Sequence, residues 1–414
     1  MNYDVVVIGA GPAGLAAAVQ LRESGVERVL VVDREHEPGG ILPQCVHTGF
    51  GVHVFDEELT GPEYAERYAV MVREAGAELL LDASVVDVED TGQEKTVRVL
   101  ASARGYLEIN CRAAILAMGC RERNRGNINI PGERPAGVMT AGFAQKLVNV
   151  AGYLPGREVV ILGSGDIGLI MARRLSWEGA VVRGVVEMQP YPGGLNRNVV
   201  QCLNDFDIPL YLSHTVTRVM GASRVEAVEI SSINRRFEPR KRGQFVVECD
   251  TLLLSVGLIP ENELSRRIGV RIDPVTGGPV VNGSLMTNVA GVFACGNVLH
   301  VHDVVDYVSE EAVRCASQAA LYLRGELAGG RSVPVRAGNL VRYVMPPAIS
   351  ADAPTTLSLR PLTPVEDVRL VVRSSRRTYY RRRHTKVFPS SMLRVEIPPV
   401  EKDEEAVEVA FDYE

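Results

Sequence analysis

The sequence has no two cysteines in a CxxC arrangement. Its seven cysteines, Cys45, Cys111, Cys120, Cys202, Cys249, Cys295 and Cys315, are scattered and odd in number. That excludes a zinc ribbon and argues against a disulfide framework. An excess of one charge is also missing. Against 45 Lys and Arg stand 51 Asp and Glu, and the net charge of −6 gives no field that would draw the chain to nucleic acid or membrane. No apolar run reaches the ~20 residues that a bilayer-spanning helix needs, so direct membrane insertion is not expected. The start, "MNYDVVVIGAG", enters a strand with no leader-like segment, and the cytoplasm is the simplest compartment. With 414 residues, two or three domains are expected rather than one core.

What is present is an internal repeat. "DVVVIGAGPAGLAAAVQLRESGVERVLVVDRE" begins at Asp4, and "EVVILGSGDIGLIMARRLSWEGAVVRGVVEM" begins at Glu158. Each reads as an apolar strand, a glycine turn, an amphipathic helix and a second apolar strand. The strands are β-branched throughout, as for parallel strands buried on two faces. Each unit ends in an acid at the same offset, position 9 to 33 in one and 163 to 187 in the other. A single GxGxxG is weak evidence. Two of them, each in strand–turn–helix context with a matching acid, predict two dinucleotide folds.

After each unit comes a β-meander that ends in a buried strand, "KTVRVLASARGYLEINCRAAILAMG" in the first and "GQFVVECDTLLLSVGLIP" in the second. "GVFACGN" then supplies another buried strand, followed by a helical pattern from Val304 to Leu323. The expected fold class is α/β, with two Rossmann-like dinucleotide-binding domains, the second inserted in the first. Residues 1–119 and 280–330 form the FAD-binding domain, and 120–279 the inserted NAD-binding domain. Residues 331–414, with short alternating runs such as "DVRLVVR" and "AVEVAFDY", form a small C-terminal all-β domain. Its basic stretch Arg376–Lys386 reads as a solvated strand and turn, with an anionic partner surface as the alternative.

In "GAGPAG", Gly9 permits the tight turn, Gly11 lets the backbone approach a pyrophosphate, and Gly14 lets helix and strand pack closely. Pro12 opens the helix without loss of a needed N–H, and Ala13 follows it. The helix start offers free N–H groups to an anion. Asp33, next to Arg34, is placed to accept hydrogen bonds from ribose hydroxyls. The second turn, "GSGDIG", repeats Gly163, Gly165 and Gly168, with Asp166 and Ile167 in the first helical turn. Asp166 favours the helix but would repel a pyrophosphate if its side chain turned inward. The second fold therefore binds NAD, or keeps the shape with altered binding. Glu187 favours an unphosphorylated ribose. No Lys or Arg follows it until Arg197, so NAD is preferred over NADP.

The order of "GAGPAG", Gly39–Gly40, "LAMG", "GSGDIG", "SVGLIP" and "GVFACGN" resembles the two-dinucleotide-domain flavoproteins, among them thioredoxin reductase and the pyridine nucleotide-disulfide oxidoreductases. The resemblance covers residues 1–325. It implies FAD in the first fold and NAD(P)H in the inserted one. It also implies that Gly39 and Gly40 approach the FAD, that Ala117, Met118 and Gly119 border it, and that Gly296 and Asn297 contact it. Gly257 lies in the corresponding "SVGLIP" turn of the NAD fold, and Val85 or Val86 would contact adenine. The family more often has Asp at the position of Asn297, and an amide can still bond a ribityl hydroxyl. "GCRERN", "IPGERPAGVMTAGFAQ" and "GSGDIGLIMARRLSWEGA" resemble flavoprotein subunits that accompany proline, opine and glycerol-3-phosphate dehydrogenases and hydrogen cyanide synthase. That implies a partner, namely a sister dehydrogenase subunit.

A disulfide reductase needs two thiols. The "GGxCxxxxC" form would place them at 42 and 47, where this chain has Leu42 and His47. Cys45 stands alone between them. A pairing of two distant cysteines stays open. Without a dithiol the flavin is the reactive group, and Cys45, His47, His300 and His302 are the candidate residues beside it. His47 and His53 in one loop, and His300 and His302 in another, could meet at the flavin to donate hydrogen bonds, shuttle protons or line a docking face. They could equally be ordinary loop residues. No spacing among them is diagnostic of a metal, and none is expected. The reading is an FAD-dependent NAD(H) oxidoreductase that passes electrons between NAD and a sister subunit. The alternatives are a non-catalytic nucleotide-binding scaffold and a thiol-dependent NADH reductase using Cys45.

Overall fold

Val5, Val6 and Val7 of the strand Asn2–Ile8 are fully buried, because the strand has parallel neighbours on both edges and both its faces are covered. The computed structural model describes residues 1–327, 331–401 and 403–413. The expected junction at 330–331 adjoins residues 328–330, which lie outside the described residues, as do the C-terminal domain's residues 402 and 414. The chain falls into two compact units, Met1–Cys120 with Pro260–Glu414, and Arg121–Ile259.

In the outer unit, Glu78–Leu80, Val29–Val32, Asn2–Ile8, Gly105–Leu116 and Val292–Ala294 lie side by side, all parallel. The first half of Gly105–Leu116 also closes an antiparallel meander with Lys95–Ala101 and Ala83–Asp90. The helices Pro12–Glu23 and Val305–Arg324 pack against each other beside the sheet. A third helix, Gly61–Ala75, starts on a Thr60–Glu63 capping box and stops at Gly76 in the left-handed conformation.

The inner unit repeats this plan. Leu210–Leu212, Val181–Glu187, Glu158–Leu162, Thr251–Leu254 and Val138–Thr140 are parallel neighbours in that order. Its own meander is His214–Met220, Ala227–Ser232 and Phe245–Glu248. One connection differs. The outermost strand beside the fourth comes late in the chain in the outer unit, at Val292, and early in the inner unit, at Val138. The chain is thus α/β with two dinucleotide folds and C-terminal strands.

The stretch 260–279, assigned by sequence to the inserted domain, packs with the outer unit. Val270 is buried in that unit's core, and the Asn262 amide donates to the carbonyls of Gly277 and Val298 at 2.9 Å each. The C-terminal strands make two sheets. One holds Ala348–Ser350, Ser332–Ala337, Val407–Tyr413, Val365–Arg373 and Thr378–Val387. The other holds Val341–Met345, Thr355–Pro361 and Leu393–Ile397. A separate core of Leu357, Leu359, Leu370, Val409 and Phe411 lies between them. The basic stretch becomes the edge strand Thr378–Val387. There Arg383 faces Asp367 at 3.4 Å and Lys386 faces Glu366 at 2.7 Å. Charged side chains of this kind also guard an open sheet edge against pairing.

Phe411 fills the centre of the C-terminal core. Phe411→Ala should destabilise that domain by about 3–5 kcal/mol. Denaturant unfolding should then show the C-terminal strands losing protection to hydrogen exchange before the dinucleotide folds do.

Candidate functional site

The first glycine turn is shaped by contacts that tolerate no side chain. A Cβ on Gly9 would lie 2.4 Å from the Ala117 carbonyl oxygen, and one on Gly14 would lie 1.7 Å from the Gly9 oxygen. Gly11 differs. A Cβ there would meet nothing closer than the Gly40 Cα at 3.9 Å. Its bareness therefore serves something outside the chain, as a pyrophosphate against the backbone would require. Gly11 is the N-cap of the helix, Pro12 is at its first position, and no side chain caps the free N–H groups. The Asp33 carboxylate accepts the Ala10 N–H at 2.5 Å and the Glu35 N–H at 2.9 Å. A carboxylate has room for about four hydrogen bonds, so two remain for ribose hydroxyls. Arg34 is exposed beside Glu35. These residues fit the adenosine and pyrophosphate of FAD.

The flanking segments close around this turn. Gly39 donates to the Ala10 carbonyl at 2.8 Å, and a Cβ on Gly40 would come within 2.9 Å of the Gly11 Cα. A Cβ on Gly296 would sit 2.8 Å from Ala13 Cβ. Ala117 donates to the Ile8 carbonyl, and Gly119 follows Met118 in a left-handed turn with open space beside it. Of Val85 and Val86, the first pairs with Val99 while the second falls in a bulge with no partner in the ladder. Its carbonyl accepts Arg267 at 2.8 Å. The unpaired N–H of Val86 is the better adenine contact. Asn297 uses its side-chain oxygen on the His302 N–H at 2.9 Å, which leaves its NH₂ donors for a ribityl hydroxyl.

The second turn copies the first in detail. Glu187 accepts the Ser164 N–H at 2.9 Å and the Gln189 N–H at 2.8 Å, as Asp33 does for Ala10 and Glu35. Gly163 is held against Ser255 as Gly9 is against Ala117, and Gly168 also packs on Ser255. Gly165 caps a helix whose next residues are Asp166 and Ile167. The Asp166 carboxylate turns to the following segment, where it accepts the Leu195 N–H at 2.8 Å and the Asn198 amide at 2.6 Å. Its charge is thus spent on fastening that segment. Gly257 adopts φ +99 with open space around it. The likeness runs further than the acid. Pro38-Gly39-Gly40 in one unit is matched by Pro192-Gly193-Gly194 in the other, at the same offset from the first glycine (9 to 39, 163 to 193). Gly193 donates to Ser164 Oγ at 2.7 Å, where Gly39 donates to the Ala10 carbonyl. Sequence reasoning stopped at the acids; extending the repeat by seven residues would have found this pair.

The reactive candidates are placed as follows. Cys45 packs at the start of the helix Gly61–Ala75, where its carbonyl accepts the Gly61 N–H and a Cβ on Gly61 would approach its Cβ to 2.8 Å. Burial pushes its thiol up to about 12, so it is protonated at neutral pH. The fold brings together two other cysteines. Cys295, at the end of "GVFACGN", hydrogen-bonds Cys315 on the helix, and this bond with burial holds its thiol well above the ordinary range. Both are fully buried. His47 bonds the Thr48 carbonyl at 3.0 Å and packs beside Phe50, and His53 stacks on Tyr307. His300 and His302 lie 4.3 Å apart, ring to ring, with side chains 0% and 1% exposed. Burial on this scale removes them from any docking face.

Two acids that sequence reasoning passed over organise this side. Buried Asp306 accepts the N–H groups of Gly51, His53 and Val54 at 3.0–3.2 Å, which pins the loop to the helix start. Glu311 accepts the Gly296 N–H at 2.8 Å and His300 Nε2 at 2.9 Å. Burial would raise its carboxyl, but the two imidazoles outweigh burial and hold it well below the usual range.

Comparison with known proteins agrees with this geometry. Residues 3–320 match the model of the family described as pyridine nucleotide-disulphide oxidoreductase. The first subunit of an Agrobacterium tumefaciens opine oxidase is 26% identical over 338 residues, covering 77% of this chain and 65% of the relative. Hydrogen cyanide synthase subunit HcnB of Pseudomonas aeruginosa is 28% identical over 291 residues, covering 65% and 60%. The chain thus spans less than two thirds of the length of these relatives. Among solved structures, thioredoxin reductase of Lactococcus lactis superposes with a TM-score of 0.64 at 20% identity, covering 78% of this chain and 99% of that one. L-proline dehydrogenase from P. horikoshii gives 0.53 at 19%, covering 79% and 56%. No described helix is long and apolar enough to cross a membrane. With two intact glycine turns and a family match over most of its length, the chain belongs to the pyridine nucleotide-disulphide oxidoreductases, enzymes that use FAD and NAD(P)H.

Proposed function

We propose that this chain is an NADH-linked FAD oxidoreductase without a working dithiol, and that it passes electrons between NAD and a sister dehydrogenase subunit. The observation that carries this reading is the state of the thiols. Cys45 has its thiol raised to about 12, and Cys295 and Cys315 are sealed in the core. A thiolate nucleophile needs the opposite surroundings, exposed and electropositive. Bound flavin would supply the hydride and electron chemistry. The protein's part is to bind and orient. Gly11 and the helix start hold the pyrophosphate, Asp33 the ribose and Asn297 the ribityl chain. In the inner unit Gly165 and Glu187 do the same for NAD.

Glu187 is 8% exposed and already accepts Ser164 and Gln189. A 2′-phosphate beside it would meet a buried negative charge, which supports NADH over NADPH. The subunit names of the opine oxidase and hydrogen cyanide synthase relatives support a partner. On this reading the compartment is the cytoplasm, where free thiols persist.

The purified protein should carry flavin, and anaerobic NADH should bleach its visible band. NADPH should do so at least about tenfold more slowly, the equivalent of ~1.4 kcal/mol. Flavin that NADH leaves oxidised would overturn the reading in favour of a nucleotide-binding scaffold.

Two substitutions separate the two turns. Gly11→Val should abolish flavin retention. Gly165→Val should keep the flavin and lose its reduction by NADH. Cys45→Ser should leave NADH-to-dye transfer within about twofold of wild type, since a protonated, packed thiol contributes little to electron transfer. A large loss with flavin still bound would favour a thiol-dependent reductase.

A further inference from the structure

His300, His302 and Glu311 form a cluster whose hydrogens do not add up without a cation at its centre. The Asn297 side-chain oxygen accepts the His302 backbone N–H at 2.9 Å, which fixes that atom as the oxygen. The same oxygen lies 3.3 Å from His302 Nδ1. An amide oxygen only accepts, so Nδ1 carries the hydrogen, and in a neutral ring Nε2 keeps a bare lone pair. That lone pair faces Glu311 Oε2 at 3.6 Å. His300 Nε2 points at the same oxygen from 2.9 Å. Two ring nitrogens and a carboxylate therefore converge, with their ligand atoms all within 4.8 Å of one another.

Each of the three is held from behind. Asn297 orients His302. The Tyr343 hydroxyl lies 3.4 Å from His300 Nδ1. The second Glu311 oxygen accepts the Gly296 N–H. Ligands at metal centres are oriented by bonds of this type. The separations also suit a metal. Tetrahedral ligands at about 2.1 Å from an ion stand about 3.4 Å apart, and 2.9 and 3.6 Å bracket that spacing.

We propose that His300, His302 and Glu311 bind a divalent transition metal ion of the zinc type, with three protein ligands and one open position. The ion would tie the turn Gly296–His302 to the helix Val305–Arg324. Through Tyr343 it would also tie that turn to the C-terminal strand Val341–Met345. The ligands escaped the sequence reading because the third comes from a helix, nine positions beyond a bare His-x-His.

The flavin-loaded protein, equilibrated with Zn²⁺ and dialysed into metal-free buffer, should retain one zinc per chain by mass spectrometry. His302→Gln and Glu311→Gln should each lower retained zinc by about tenfold or more while flavin content reports that the chain is folded. If a variant loses its flavin, crystals of the unaltered protein soaked in Zn²⁺ give the second measurement. An anomalous peak at the zinc edge should fall among the three ligands. Zinc no higher than in a protein-free control, an anomalous peak elsewhere, or full retention by a folded variant would overturn the proposal. A proton on His302 would then be the cation that completes the cluster.

Discussion

The structure depends on how closely a helix can start beside the strand that precedes it. In each dinucleotide fold the strand ends, the chain turns, and the helix begins at a distance that only glycine permits. Gly14 presses on the Gly9 carbonyl and Gly9 on Ala117, while Gly168 and Gly163 press on Ser255. A methyl group at any of these points would collide with a neighbouring atom. Close approach aims the helix's free N–H groups along the sheet edge, where a pyrophosphate can use them. The parallel order of five strands, repeated in both units, is the frame that holds this one contact in place.

Much of this was legible in the chain. Buried parallel strands are apolar on both faces, so the two repeats announced themselves. Glycines and acids at fixed offsets then carried the cofactor reading. The Pro-Gly-Gly pair was equally available and was passed over, because attention ended at Asp33 and Glu187. Other parts were not local. Cys295 and Cys315 meet only because a strand end and the middle of a helix are packed together. Asp306 and Glu311 lie in a helix whose exposed acids look the same in sequence. Residues 260–279 changed units for a similar reason, since Asn262 reaches partners at 277 and 298.

The thiol question was sharpened by burial rather than by spacing. A distant pair of cysteines was compatible with the sequence, and the fold does bring one pair together. Yet a thiol must ionise to attack, and ionisation is opposed wherever water is excluded. Cys45 and Cys295 are both held in the protonated form. Proximity alone therefore does not make a redox centre.

One device recurs around both turns. A carboxylate accepts backbone N–H groups from a glycine-rich segment: Asp33 from Ala10, Glu187 from Ser164, Asp306 from Gly51, Glu311 from Gly296 and Asp166 from Leu195. Loops without side chains have little apolar surface with which to pack, and their buried N–H groups need partners. A charged acceptor makes a stronger bond than a neutral one. It can therefore fix a loop that hydrophobic contact cannot. The arrangement also answers the apparent conflict of placing acids beside pyrophosphate sites. Each negative charge is held by N–H groups of the loop it fastens. The uncapped helix starts at Gly11 and Gly165 keep their own N–H groups for the phosphates. The acids hold the walls in place, and the helix ends provide the charge that an anionic dinucleotide meets.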